Sequence, residues 1–253
     1  MADPVSVDGG AVTTVTIDRR EELNTLTPAT LEALAAAVEE ARDARAVVLT
    51  GAGDRAFAAG ADVEYMRDLS TPEAQAYAEL GRDVTAAIVR SPAPVIAAIN
   101  GYAFGGGLEL ALVCDLRVAS ERAVLGSTEI DLGIIPGWGG TQRLPGIVGD
   151  ETARRLVYFG ERIDAQDALE HGLVGEVVAH GSLRDHAATL GADLAAKPRH
   201  ALAAAKEAFV RRHRDGLEAG LAFERRAWSG LFGTHDQREG MAAFLEDREP
   251  EFE

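Results

Sequence analysis

The chain has 253 residues, with 41 Asp and Glu against 25 Lys and Arg, and its formal net charge is −16. That acidity argues against nucleic acid as a partner, because binding a polyanion needs a basic stripe that releases counterions. A single cysteine, Cys114, excludes an intrachain disulfide framework, and every apolar run is far shorter than the about 20 residues that cross a bilayer, so no membrane partner is expected.

The opening segment MADPVSVDGG has neither a basic nor an apolar stretch, so it does not read as a secretory signal and a cytoplasmic location is expected. Residues 11–18 (AVTTVTID) alternate apolar and polar side chains and are rich in β-branched types, which predicts a strand. Residues 28–41 place Leu31, Leu34 and Val38 at helical spacing behind Thr27 and Pro28, a favourable N-cap and first-turn pair. Residues 46–50 (AVVLT) and 94–99 (PVIAAI) are apolar runs suited to strands buried on both faces. Between them the sequence predicts a glycine-containing loop and a helix over 63–90, interrupted near Pro72. Further short strands are expected at 117–119 and 123–125; beyond Thr152 helix dominates, with a strand only at 174–178. The pattern is an α/β core over 1–190 and a helical part over 191–253, two lobes of one folding unit. Only Lys197 and Lys206 are lysines, a composition that suits solubility in concentrated salt and that arginine-rich coding also produces.

Three glycine-rich segments carry the chemistry. In residues 100–115 (NGYAFGGGLELALVCD), Gly105, Gly106 and Gly107 run straight into a helix beginning near Leu108. Glycine lets backbone approach a ligand, and a helix N-terminus aims free N–H groups at it, so an oxyanion is a natural guest; a tight turn needed only for packing explains the glycines equally well. Glu109 has Gly105, Gly106, Leu112 and Val113 as its helical neighbours, an apolar surround that drives a carboxyl pKa upward and suits a general acid or base. Glu129, in the segment STEID, reads locally as an exposed turn acid. In residues 56–62 (AFAAGAD), Asp62 is placed to cap the helix that starts at Val63, and residues 136–141 (PGWGGT) read as loop. The dinucleotide pattern G-x-G-x-x-G is absent; its nearest approach, at Gly137 and Gly139, has Gln142 in the third place.

Taken together, AFAAGAD, NGYAFGGGLELALVCDLRVAS, EIDLGIIPGWGGTQRLPGIVG, IDAQDALEHGLV and DQREGMAAFLEDR resemble the enoyl-CoA hydratase/isomerase, or crotonase, family over nearly the whole chain. The resemblance implies an α/β spiral of repeated ββα units with a helical C-terminal trimerisation region, assembled as a trimer or a dimer of trimers. It implies a hydro-lyase that adds water to an enoyl thioester. Glu109 and Glu129 are then the catalytic carboxylates, and the N–H groups of Ala61 and Gly106 the oxyanion hole. Leu23, Ala59, Asp62, Gly105, Trp138 and Phe244 fall at substrate-contacting positions. No metal or separate cofactor is implied, since coenzyme A is carried as part of the substrate.

Some positions depart from the family pattern. Glu21, Glu64 and Asp247 stand where many relatives place lysines for the coenzyme A phosphates, with Arg19, Arg20 and Arg248 next to two of these positions, Glu21 and Asp247, and able to substitute. Ser127 and Thr128 replace a Gln-Pro pair before Glu129, which points to a slightly different seat for Glu129, and Trp138 is large for its loop, which points to a shortened acyl pocket or a changed preference. Phe244 matches an aromatic that packs near the adenine of a neighbouring subunit, with ordinary core burial as the alternative. Within the family the nearest rival activity is Δ3,Δ2-enoyl-CoA isomerisation, which needs one carboxylate; the presence of two favours hydration. A family member also binds AU-rich RNA, a role the charge of this chain opposes.

Overall fold

The computed structural model describes residues 3–253. A hairpin of β1 (Val5–Asp8) and β2 (Val12–Ile17) leads through α1 (Pro28–Glu40) to β3 (Ala46–Gly51). The chain then leaves for a second sheet at β4 (Ala56–Ala58) and returns through α2 (Val63–Met66) and α3 (Thr71–Arg90). The same excursion recurs as β5 (Val95–Ile99), β6 (Tyr102–Phe104) and α4 (Gly106–Val113). It recurs again as β7 (Leu116–Ser120), β8 (Val124–Gly126), a 3₁₀ turn at Glu129–Leu132 and α5 (Gly140–Val148). The core is completed by α6 (Asp150–Tyr158), β9 (Arg162–Asp164), α7 (Ala165–Glu170), β10 (Glu176–Val178) and α8 (Leu183–Ala195). A helical C-terminal part follows: α9 (Arg199–Asp215), α10 (Leu217–Gly230) and α11 (His235–Glu246).

The larger sheet has the order β1-β2-β3-β5-β7-β10 and is parallel apart from its first pair. The smaller one, β4-β6-β8-β9, is parallel up to β8, where β9 joins it antiparallel. Strands β3 and β5 are buried at every residue, which is why they lack polar alternation. One face packs into the main core with Leu31 and Leu34 of α1 and Val84 and Ile88 of α3. On the other face Leu183 and Ala187 of α8 cover Val48, Ile96, Ala98 and Val118. The lobe boundary expected at residue 190 therefore falls inside a core helix.

Local signals hold where side chains cap helices. Thr27 Oγ1 accepts from the Thr30 N–H at 3.2 Å, starting α1. The interruption expected near Pro72 is the gap between α2 and α3; Pro72 sits in the first turn of α3, where its missing N–H costs nothing. Strands β1, β4, β6 and β9 were not anticipated, their three or four residues being too short for an alternating pattern to register. Among the described residues no helix is long and apolar enough to cross a membrane.

One buried cation ties the helical part to the core. Lys206 of α9 is 8% exposed, and its Nζ donates to the carbonyls of Ile88 (3.1 Å) and Ala93 (3.0 Å). It also lies 2.8 Å from Asp115 Oδ2, which in turn accepts from the Val95 N–H at 2.7 Å. By contrast Phe209, Trp228, Phe244 and Leu245 of the helical part, with Ile135 and Phe159 of the core, are large apolar side chains left exposed.

Candidate active site

Three successive parallel strands of the smaller sheet end in neighbouring loops: β4 before Ala59–Ala61, β6 before Gly105, and β8 before Ser127. The Gly105 N–H donates to Gly126 O at 2.9 Å, locking the second loop to the third strand. Gly60 has φ +102°, and a Cβ there would lie 2.8 Å from Phe104 O; a Cβ on Gly107 would lie 1.9 Å from Ala58 O. Only glycine lets these two backbones approach so closely.

The approach matters because each backbone brings a donor. Leu26 bridges Ala61 by donating to Gly60 O (2.9 Å) and accepting from Asp62 N (3.3 Å), which leaves the Ala61 N–H on the opposite side of its strand. The Gly106 N–H opens α4 and has no partner within the helix. Ala59 N donates to Leu23 O at 3.0 Å, and Leu23 itself is left-handed (φ 54°). Asp62 caps α2 as expected, accepting from Tyr65 N at 3.0 Å, while its other oxygen meets Thr25 Oγ1 (3.2 Å) and Arg19 (3.5 Å).

Glu109 projects from the first turn of α4 and is 4% exposed. Its Oε1 accepts from the N–H groups of Trp138 (2.8 Å) and Gly140 (2.7 Å). Burial pushes its pKa up to about 7; the Glu129 charge adds to the rise and the two N–H donors oppose it. Glu129, expected from local pattern to be an exposed turn acid, is instead 8% exposed, because the 3₁₀ turn folds it inward beneath Gly105. Its Oε2 accepts from Ser127 Oγ at 2.8 Å, and its Oε1 is buried with no hydrogen-bond partner among the described residues. Burial raises this pKa as well, against the Ser127 hydrogen bond.

Trp138 is 5% exposed, and its carbonyl accepts from Arg143 Nη1 at 3.0 Å. Phe244 lies on α11 and is 85% exposed, which excludes burial in the core of its own chain. Ser127 and Arg143 escaped sequence reasoning as supporting residues; a hydroxyl two residues before an acid, or an arginine three after a glycine, carries no distinctive local signal.

Residues 8–253 match the family described as enoyl-CoA hydratase/isomerase. The chain belongs to that family. It is 39% identical over 245 residues to the short-chain-enoyl-CoA hydratase of Clostridium acetobutylicum, covering 96% of this chain and 94% of that protein. It is 40% identical over 239 residues to the crotonyl-CoA hydratase of Syntrophomonas wolfei, covering 93% and 92%. The crystal structure of an enoyl-CoA hydratase from Bacillus anthracis superposes with a TM-score of 0.94 at 40% identity, covering 98% of each chain. The expected crotonase-like spiral is thereby the fold of this chain, and an acyl-CoA thioester is the substrate class that fits its family.

Proposed function

We propose that the protein is an enoyl-CoA hydratase that adds water reversibly, in syn fashion, to trans-2-enoyl-CoA, giving 3-hydroxyacyl-CoA during acyl-CoA degradation. The observation that carries this reading is the buried, unpartnered Glu129 Oε1 within the field of a second buried carboxyl, Glu109. A buried acceptor without a partner costs about 1–3 kcal/mol, a cost that a substrate or a water bound between the two groups would offset. In this reading the Ala61 and Gly106 N–H groups hold the thioester oxygen. Glu109, as carboxylate, takes a proton from water as the water oxygen bonds to the β-carbon. The double-bond electrons move toward the thioester oxygen, and Glu129, protonated, gives its proton to the α-carbon. One proton shared by the pair suffices, and their titration belongs to both. The chemistry uses only these groups, with coenzyme A entering as part of the substrate.

Crotonyl-CoA tests the reading, because hydration removes the conjugated absorbance that isomerisation leaves in place. Rapid loss of that absorbance with wild type is expected; interconversion of 3-enoyl and 2-enoyl isomers without hydration would replace the proposal with an isomerase.

The suggested phosphate-binding arginines are all engaged with acids. Arg20 makes two hydrogen bonds to Asp18, Arg19 meets Asp62, and Arg248 meets Glu239 and Glu246. Glu21 and Asp247 are exposed beside them in sequence, and Glu64 is exposed on α2. A polyanionic coenzyme A thus approaches a repulsive surface, and salt screens repulsion. The KM for crotonyl-CoA is expected to stay level or fall as KCl rises from about 0.05 to 1 M. A steep rise would show that free cations dominate binding. Melting temperature over the same series tests adaptation to salt: equal stability near zero salt would remove that idea.

A homo-oligomer, trimer or dimer of trimers, completes the proposal, together with a cytoplasmic location. Its support is that Phe209, Trp228, Phe244 and Leu245, all on the helical C-terminal part, are each large, apolar and more than half exposed, side chains that an interface would cover.

A further inference from the structure

The indole of Trp138 stands between two helices. On α3, Tyr77 and Gly81 lie one turn apart on the same face. The Trp138 ring meets Tyr77 edge-on at 6.0 Å, and a Cβ on Gly81 would lie 2.0 Å from its Cε2. On the other side a Cβ on Gly106 would lie 2.3 Å from Cζ3. Glycine in the middle of a long helix is unfavourable, and at Gly81 the gain is room for this ring. Tyr77 is itself held, by its hydroxyl donating to Leu26 O and by the edge of Tyr65 at 5.2 Å, so the wall behind the indole is anchored.

Trp138 therefore meets the reaction centre twice. Its N–H fixes Glu109 Oε1, the group that faces the β-carbon in the proposed reaction, and its ring lies against Gly106, a proposed donor to the thioester oxygen. In an extended trans enoyl thioester the γ-carbon leaves the double bond on the side away from the carbonyl, next to the group that serves the β-carbon. The loop Pro136–Gly140 supplies both N–H donors to Glu109 and so lies against that group, and its single aromatic side chain is Trp138.

We infer that Trp138, seated on Gly81, closes the acyl pocket just beyond the reacting double bond and makes short enoyl thioesters the preferred substrates. The inference rests on the proposed hydratase activity. A longer chain must displace a packed ring rather than water, and well-packed interiors resist added methylenes.

The test is kcat/KM for four-, six-, eight- and ten-carbon trans-2-enoyl-CoA with wild type, Trp138→Ala, Gly81→Ala and the double variant, with melting temperature reporting the fold. Wild type is expected to lose at least about tenfold from the four- to the eight-carbon substrate, on the scale by which pocket shape discriminates a methylene or more. Trp138→Ala should raise the eight-to-four-carbon ratio by about tenfold, a gain that a damaged fold does not produce. Gly81→Ala should push the indole toward the reacting atoms and depress even the four-carbon rate, and adding Trp138→Ala should restore it. A flat wild-type profile, an unchanged ratio in Trp138→Ala, or a Gly81→Ala defect that persists in the double variant would overturn the inference while leaving hydration intact. Wild type that hydrates no chain length would instead fail the hydratase reading and the inference with it.

Discussion

Glu109→Gln is expected to lower the hydration kcat by about a thousandfold, the scale of a lost general base, while making the protein more stable above neutral pH. Glutamine keeps an oxygen for the Trp138 and Gly140 N–H groups, so the local geometry survives. What it removes is a carboxylate whose pKa is raised from 4.5 to about 7, chiefly by burial. A raised carboxyl pKa means that the folded state holds its proton more tightly than the unfolded chain. The contribution to stability is then fully present below the unfolded value and is lost as pH rises through the folded one. Above pH 7 the wild type carries the whole cost, up to about 3 kcal/mol at 1.36 kcal/mol per unit, and the glutamine variant does not. Melting curves from about pH 4 to pH 9 should show the two proteins diverging through this window and running parallel above it. The wild-type kcat/KM should fall on the acid side of about 7. A glutamine variant that hydrates crotonyl-CoA nearly as well as wild type would refute the role of Glu109.

The second large effect concerns the helical C-terminal part. Lys206→Met keeps the apolar stem but strands Asp115 and the carbonyls of Ile88 and Ala93. Breaking a buried pair from one side costs about 3–5 kcal/mol, and the partial exposure of Asp115 places this case at the lower end. At about 3 kcal/mol the melting temperature of a chain this long drops by roughly 6–12 °C. Pairing the change with Asp115→Asn removes the uncompensated charge yet leaves an acceptor for Val95 N, and should recover part of the loss. A single variant within about 0.5 kcal/mol of wild type, an ordinary surface effect, would mean that the tether contributes little.

How much of this was legible depended on whether the signal was local. The wholly apolar strands β3 and β5, the Thr27 cap, and the placement of Glu109 in an apolar helical turn all follow from neighbours within one or two turns. Glu129 did not, because its burial comes from the strand order that lays β8 against β6, and the segment STEID carries no trace of that. The same reason hid Ser127, Arg143 and the seat that Gly81 gives to Trp138: each acts on a residue distant in sequence or through a bond that a propensity scale ignores. The resemblance of the glycine segments supplied Glu129, Ala61 and Gly106, which local chemistry alone left open. The engaged state of Arg19, Arg20 and Arg248 was likewise invisible until the acids beside them had positions.

The carboxyl ends of β4, β6 and β8 have a further meaning for how such a catalyst comes into being. In the proposed reaction the first repeat contributes the Ala61 N–H, the second the Gly106 N–H and Glu109, and the third Glu129, so a nascent chain lacks the full set until the third repeat has docked. The division also makes the proposed centre modular: the first two loops hold the activated carbonyl, and the two carboxyls that act beside it come from different repeats, Glu109 from the second and Glu129 from the third. Rewriting only the segment that carries Glu129 therefore leaves the proposed carbonyl cradle and Glu109 in place, the set that a one-carboxyl reaction on the same thioester needs.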